Sequence, residues 1–414
     1  MHCLKVIRNF SLWSSVPLGS LDPMSGIVAQ FNADNCPQKV NLGVNTYRDN
    51  NGNPVVLESV IKAMQIIREK NLDNEYPPIE GLQSFIDAAI KLGYGDKYYE
   101  KNSKNIAGCQ VLSGTGAIRL GFELLNKFVP PETKVLVPIP TQTLHPTIAK
   151  MAGLQSQEYR YFDPTTRQVD FQGLFQDLYT APNGSIVLFH ACSHNPTGCD
   201  LELHQWEQLL DLTKKKDLLP FFDMTYQGFT SGDMDKDAYA IRLFTEAGMP
   251  IILGQSFDQN MGLSGQRIGC LSLVCSNEKE REIVNSQLNL IARSLWSCPP
   301  VHGARIAETV LNNPKIYQLW LKEVRLMAQR IQNMRYSFTK ALKELGSPHD
   351  WSYLSKQFGL YSLTGIGQLQ INELMEKYHI YLLENGGISI AGLNDNNIKY
   401  VAMAFHEVTK NTQI

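Results

Sequence analysis

Asn195, Asp223, Tyr226, Ser256 and Gln259 fall at or just beyond the ends of three short apolar runs, Ser185–Ala191, Leu219–Phe222 and Ile251–Phe257, and Arg267 opens a fourth. Gathered in one place they offer a carboxylate, a phenol, two amides, a hydroxyl and a guanidinium. Such a set lines a polar pocket rich in hydrogen-bonding groups. At its centre is Gln259, whose amide is neither a nucleophile nor a base at any relevant pH. Asp223 closes a strand-like run, where a carboxylate without a partner would cost several kcal/mol or take up a proton. It reads either as a cap of a turn or as the partner of a buried cationic nitrogen.

Two further groupings bear on chemistry. In Val111-Leu-Ser-Gly-Thr-Gly-Ala117 an extended segment passes through glycines into a helix over 118–128. Free backbone amides and the helix dipole make such a junction an anion site, although glycine turns before helices are also plain joints. His190, Cys192 and His194 alternate and would share one face of a strand. Pro196 and Gly198 follow at once and no fourth ligand is at hand, so this is a loop that shapes a pocket; no metal site is expected.

Helical patterns separate the apolar runs, which is the signature of βαβ units feeding one parallel sheet. In such a sheet the polar residues at the carboxyl ends of the strands collect in one crevice. The stretch Ser256–Gly269 lies at its centre. Upstream, residues 19–34 read as an irregular arm with Pro23 and Gly26 as breakers. Residues 39–43 are extended, and 57–70 and 81–92 helical, with Pro77-Pro78 between those helices. Residues 134–140 form a strand; 171–178, 201–216 and 276–295 form helices, and 268–274 is a strand opened by Arg267. A very long helix over 314–345 bridges to a mixed α/β segment, with 359–364, 380–383 and 388–391 extended, 367–377 and 396–410 helical, and Gly386-Gly387 in a final hairpin.

At 414 residues the chain has room for two domains. A formal net charge of -2 with mixed signs gives no reason to expect nucleic acid or acidic lipid as a partner. No run approaches the 18 or so apolar residues of a membrane span. The eight cysteines lack paired spacing and read as reduced core thiols. The N-terminus has no acidic residue before Asp22, and His2, Lys5 and Arg8 recur at helical spacing opposite Cys3, Val6, Ile7 and Phe10. A basic, amphipathic, acid-free start resembles a mitochondrial presequence, or is an unstructured leader of chance composition.

With these segments in hand, the chain resembles aspartate aminotransferase, a fold type I enzyme that depends on pyridoxal phosphate, and looks closer to the mitochondrial than to the cytosolic form. The stretches that carry this include Asn41-Leu-Gly-Val44, Asn74-Glu-Tyr76, Ser113-Gly-Thr-Gly-Ala117, His194-Asn-Pro-Thr-Gly198, Phe221–Phe229, Asn260-Met-Gly-Leu263 and Gly303-Ala-Arg-Ile306, from about Pro17 to Lys410. The resemblance implies an α/β architecture: a leader over 1–18, an arm and part of a small domain over 19–55, a large cofactor-binding domain with a mostly parallel sheet over 56–325, and a small α/β domain over 326–414. It implies the conversion of L-aspartate and 2-oxoglutarate to oxaloacetate and L-glutamate, a homodimer, small dicarboxylic amino and keto acids as substrates, and a location in the mitochondrial matrix or the cytoplasm. Asp223 would face the cofactor's ring nitrogen with His145 and His190 behind it, and Tyr226 and Asn195 its ring oxygen. Gly114, Thr115, Ser256 and Arg267 would hold the phosphate. Tyr76 would reach a neighbour's phosphate, and Arg293 the side-chain carboxylate of a neighbour's substrate.

The departures fall on the working residues. Gln259 stands where the family has the lysine that carries the cofactor and moves the proton, and Gly387 where an arginine grips the substrate carboxylate. Gln142 replaces the aromatic residue stacked on the ring, Asp258 a small residue beside the phosphate, and Asn45 a glycine that leaves room for substrate. Asp258 would set like charge near a dianion. Five changes around one pocket point to a chain released from catalysis. Any pyridoxal phosphate would then be non-covalent or absent. The alternatives are an active enzyme with a replacement base, and a non-catalytic partner that dimerises with an active paralogue.

Overall fold

The computed structural model describes residues 13–19, 23–44 and 46–412. The segment on which the presequence reading rests, and Asn45, lie outside the described residues. A seven-stranded sheet runs through the middle of the fold: β1 (Ile106–Leu112), β2 (Lys134–Ile139), β3 (Gln155–Arg160), β4 (Ile186–His190), β5 (Leu219–Met224), β6 (Ile252–Ser256) and β7 (Ile268–Val274). Their spatial order is β1-β7-β6-β5-β4-β2-β3. From β6 to β3 every neighbour is parallel, while β7 runs antiparallel to both β1 and β6. The three apolar runs therefore become β4, β5 and β6, side by side, with His190 opposite Asp223 and Asp223 opposite Gly254.

Those strands are buried along almost their whole length because both faces of the sheet are covered. Alternate residues serve different cores: Leu188, Phe221, Ile252 and Leu271 enter one, Phe189, Phe222 and Leu253 the other. Five helices matter for the site: α1 (Pro23–Ala33), α2 (Ser113–Phe128), α3 (Glu278–Leu295), α4 (Val301–Asn312) and α5 (Pro314–Glu344). Helices α2 and α3 supply Leu120, Phe122, Leu288 and Ile291 to the first core; α4 and α5 supply Ile306, Val310 and Trp320 to the second. A Cβ on Gly121 would sit 2.6 Å from the Phe221 ring, so glycine there lets α2 lie close on the sheet. Emptying that contact, as in Phe221→Ala, costs about 3–5 kcal/mol.

The carboxyl-terminal part adds two small pairings, Tyr361–Leu363 antiparallel to Gly387–Ser389 and Ile380–Tyr381 parallel to Val40–Asn41. Its helix Ile398–Thr409 packs on α5, with Phe405 edge-on to Phe338 at 5.4 Å. Five cysteines of the described residues are buried, whereas Cys36 and Cys298 are half-buried. Among the described residues no helix is long and apolar enough to cross a membrane.

Several local expectations need correction. The arm over 19–34 is not irregular, since Pro23 opens α1; a proline at the first helical position lacks only an amide that would go unused. Residues 113–117 are not extended but form the first turn of α2. The expected final hairpin is a turn only, since its two sides pair with different strands, and the extended run expected over 388–391 gives way to a 3-10 turn at Ile390.

One tie holds the end of α1 to the later chain. The Asp34 carboxylate accepts the Cys36 amide at 2.8 Å, the Tyr381 hydroxyl at 2.8 Å and His379 Nδ1 at 2.7 Å. The Cys36 amide first, then the Tyr381 hydroxyl and His379, hold its pKa down at about 2. A depressed carboxylate stabilises above its ordinary range near 4 and loses that contribution as the pH falls through the depressed value. Asp34→Asn is therefore expected to raise hydrogen exchange across α1 at pH 7, while the wild-type chain loosens there only as the pH drops from about 4 toward 2. Unchanged exchange in Asp34→Asn would remove this account.

Candidate functional site

The carboxyl ends of β4, β5 and β6 open toward the start of α2, and the expected polar residues gather there in two groups. The first surrounds Asp223, the buried fifth residue of β5. Its carboxylate lies 3.2 Å from His145 Nε2, and the Thr225 hydroxyl donates to it as well. Thr141 Oγ1 lies 2.9 Å from His145 Nδ1 and 3.3 Å from His190 Nε2, joining two histidines whose rings are 5.2 Å apart. Burial pushes the Asp223 pKa up, but the His145 hydrogen bond, with the adjacent histidine pair and the Thr225 hydroxyl, outweighs it and holds the carboxyl below its usual range. Burial drives the His190 pKa well down, and His194 and His145 push it the same way. Asp223 is thus kept anionic.

Beside it, Asn195 Nδ2 donates to the Tyr226 hydroxyl at 3.2 Å. Burial raises the Tyr226 pKa, and the carboxylates of Asp223 and Asp258 add to the effect. The phenol stays protonated and can donate. His194 does not join a metal set with His190 and Cys192: its Nδ1 meets Thr197 Oγ1 at 2.9 Å and its ring stacks on Tyr161 at 3.8 Å. Among the described residues no three potential ligands converge on one point.

The second group lies where α2 begins. Ser113 is its first residue, Gly114 is buried and Thr115 exposed. A Cβ on Gly114 would come within 2.8 Å of Thr225 Oγ1, so glycine allows the helix end to meet the end of β5. The hydroxyls of Ser113 and Ser256 are 3.2 Å apart. Asp258 inserts between these elements: Ser113 Oγ donates to its Oδ2 at 2.6 Å, and Arg267 Nη1 forms an ion pair with the same oxygen. The Asp258 amide in turn donates to Ser256 Oγ at 3.2 Å. Ser113 and Arg267 both hold left-handed backbone, at φ 65° and 54°, which costs non-glycine residues about 1–3 kcal/mol each.

Gln259 follows directly and is buried; the backbone of its loop is pinned by Trp320 Nε1, which donates to the Asn260 carbonyl at 2.7 Å. Gln142 lies half-buried ahead of His145. Gly387 is buried on the strand opposite Leu363, its amide donating to Asn385 Oδ1 at 2.9 Å. Arg167 approaches this strand pair, but its guanidinium already donates to the Thr364 carbonyl and the Tyr353 hydroxyl. Tyr76 is 86% exposed, and Arg293 is exposed in the last turn of α3. Neither touches the cleft of its own chain in any described hydrogen bond or ion pair. The segment bearing Tyr76 is clipped down by Arg305 on the Asp73 carbonyl at 2.6 Å and by Asn289 on Glu80 at 3.2 Å.

Sequence reasoning missed Ser113, Thr141 and Thr225. Ser113 was hidden by the late start assigned to α2. For the two threonines the only signal was their position at strand ends, next to the histidine and the aspartate they bond.

A model of the aminotransferase class I and II family matches residues 37–405. The chain is 45% identical over 406 residues to the mitochondrial aspartate aminotransferase of Arabidopsis thaliana, covering 97% of this chain and 93% of that protein. It is 43% identical to the Xenopus tropicalis mitochondrial aspartate aminotransferase, over 99% of this chain and 96% of that protein. Among solved structures, the aromatic-amino-acid aminotransferase from Burkholderia pseudomallei, covalently bound to pyridoxal phosphate, superposes with a TM-score of 0.94 at 36% identity, over 97% of this chain and 100% of that one. The aspartate aminotransferase from Saccharomyces cerevisiae cytoplasm gives 0.93 at 37% identity, over 96% and 98%.

Proposed function

Because this chain belongs to the class I and II aminotransferase family, we propose that it is an aspartate aminotransferase-like protein in which transamination has lapsed. The observation that carries this reading is Gln259, an amide buried beside Asp258 at the position where the resemblance expects the lysine. The fold, a mostly parallel seven-stranded sheet between helices, is that of the fold type I aminotransferases.

Pyridoxal phosphate is the cofactor expected of the family, and when bound it acts as an electron sink for amino acid substrates. The residues present suit only part of it. Asp223 with His145 behind it, and the Tyr226–Asn195 pair, would suit a protonated ring nitrogen and a ring oxygen. The other end does not fit: Arg267 and Ser113 already hold Asp258, and Gln259 offers no amine for a covalent link. No catalytic step follows from such a site.

A second reading concerns assembly. Tyr76 and Arg293 are exposed and stand where the resemblance expects residues that reach a neighbour, which suits a two-fold dimer, either of this chain with itself or with an active paralogue. Two of the relatives are mitochondrial proteins by name, which favours that compartment here.

Borohydride tests the lapse directly. The purified full-length chain, incubated with pyridoxal phosphate and then reduced, is expected to yield no pyridoxyl-modified peptide, and dialysis is expected to remove any absorbing cofactor. A stoichiometric pyridoxyl-lysine peptide, or turnover of aspartate with 2-oxoglutarate at an ordinary rate, would overturn the reading.

A further inference from the structure

The amino end of α2, a sixteen-residue helix, presents free amides flanked by the hydroxyls of Ser113 and Ser256 and by the guanidinium of Arg267. These are the parts of a site for a phosphate monoester. They are engaged from within. Asp258 is 6% exposed, and its Oδ2 takes both the Ser113 hydroxyl and Arg267. Its other oxygen, Oδ1, is buried without a close hydrogen-bond partner; burial raises the carboxyl's pKa, and the Ser113 hydroxyl, Arg267 and the Ile268 amide oppose that rise. A buried carboxylate with an unsatisfied oxygen is costly wherever it lies. Here it is tolerated where a guanidinium, a serine hydroxyl and a helix start converge.

We propose that Asp258 is a built-in anion that occupies the phosphate end of this cleft, so that the chain excludes phosphate monoesters from it. The inference rests on the reading that this cleft descends from a pyridoxal phosphate site, and goes beyond it, since loss of the lysine alone would leave the phosphate end open. An incoming phosphate must displace Asp258 from Arg267 and then remain beside a second, largely buried anion. Both effects oppose binding. Arg267 itself is 45% exposed, so it remains reachable once Asp258 is removed.

The test compares wild-type, Asp258→Ser and Asp258→Ser/Arg267→Ala full-length chains, with pyridoxal phosphate, inorganic phosphate and unphosphorylated pyridoxal as probes. Binding is followed by cofactor fluorescence and by the shift in melting temperature. Asp258→Ser is expected to bind pyridoxal phosphate at least about tenfold more tightly than the wild type, and to gain a phosphate-dependent melting shift that the wild type lacks. Removing Arg267 from that background should erase the gain, and pyridoxal should bind all three chains alike. If Asp258→Ser fails to fold, Asp258→Asn keeps the shape without the charge and should give the same order with a smaller gain. Equal affinity of wild type and variant for both phosphate probes, or an equal gain for pyridoxal, overturns the proposal. That result would leave the absence of turnover untouched, whereas turnover by the wild type would sink the lapsed-enzyme reading whatever phosphate does.

Discussion

Gln259→Lys alone is expected to leave aspartate transamination at least about a hundredfold below the rate of an intact relative. The lysine restores an amine at the right place in the chain, but two other obstacles remain. Gly387 supplies no cation for the substrate carboxylate, and loss of a charge-assisted bidentate contact is worth roughly 3 kcal/mol, or about a hundredfold. Asp258 still engages Arg267 and Ser113. Gln259→Lys with Gly387→Arg and Asp258→Ser should therefore gain far more than the sum of the single changes, because groups serving one bound molecule are coupled. The arginine has one local cost: a Cβ at 387 would meet Asn385 Oδ1 at 2.8 Å, so that side chain must turn away and release the 387 amide. Steady-state kinetics on the four variants decide the matter. Near-normal turnover from Gln259→Lys alone would mean that neither Gly387 nor Asp258 matters as described.

The second large effect is expected in a mixed dimer. When this chain and an active paralogue are co-expressed with different tags, a heterodimer should be recovered with about one working site, that of the paralogue. Arg293→Ala in this chain should then lower its rate with aspartate by about a hundredfold, by the same charge-assisted contact. Substitutions at Gln259 should leave the rate unchanged. The observation behind this is the exposure of Tyr76 and Arg293 and of Leu72, Leu290 and Leu295, their near neighbours along the chain. Exchange between paralogues is physically reasonable because two-fold interfaces are self-complementary. Recovery of homodimers only, or a mixed dimer indifferent to Arg293→Ala, would end the idea.

Much of this architecture was legible in the sequence, for reasons that also explain where it was not. The runs that became β4, β5 and β6 each contain an unbroken apolar stretch, and α5 keeps its period for 31 residues, so pattern alone located them. Strand β3 was missed because it is an edge strand with five of its six residues exposed, leaving no apolar signal. The start of α2 was misjudged because Ser113-Gly-Thr-Gly116 has low helix propensity, and tertiary contacts with β5 and β6 override it. The pairing of Val40–Asn41 with Ile380–Tyr381 joins segments too far apart for any local pattern. In the site, the charge of Asp258 could be read as a misfit, but its resolution could not. Its partner Ser113 lies 145 residues earlier, and only the folded chain brings the two together.

The clasp of Asp258 with Ser113 and Arg267 also bears on how the chain is maintained in a cell. A protein that binds its cofactor at a hundred times the dissociation constant is stabilised by about 2.7 kcal/mol, and loses that when the cofactor runs short. A chain that fills the same cradle with its own side chain forgoes the gain and escapes the dependence. If the clasp excludes the cofactor as proposed, the folded fraction, and with it the exposure to proteolysis, is set by the chain's own sequence and not by the supply of a vitamin.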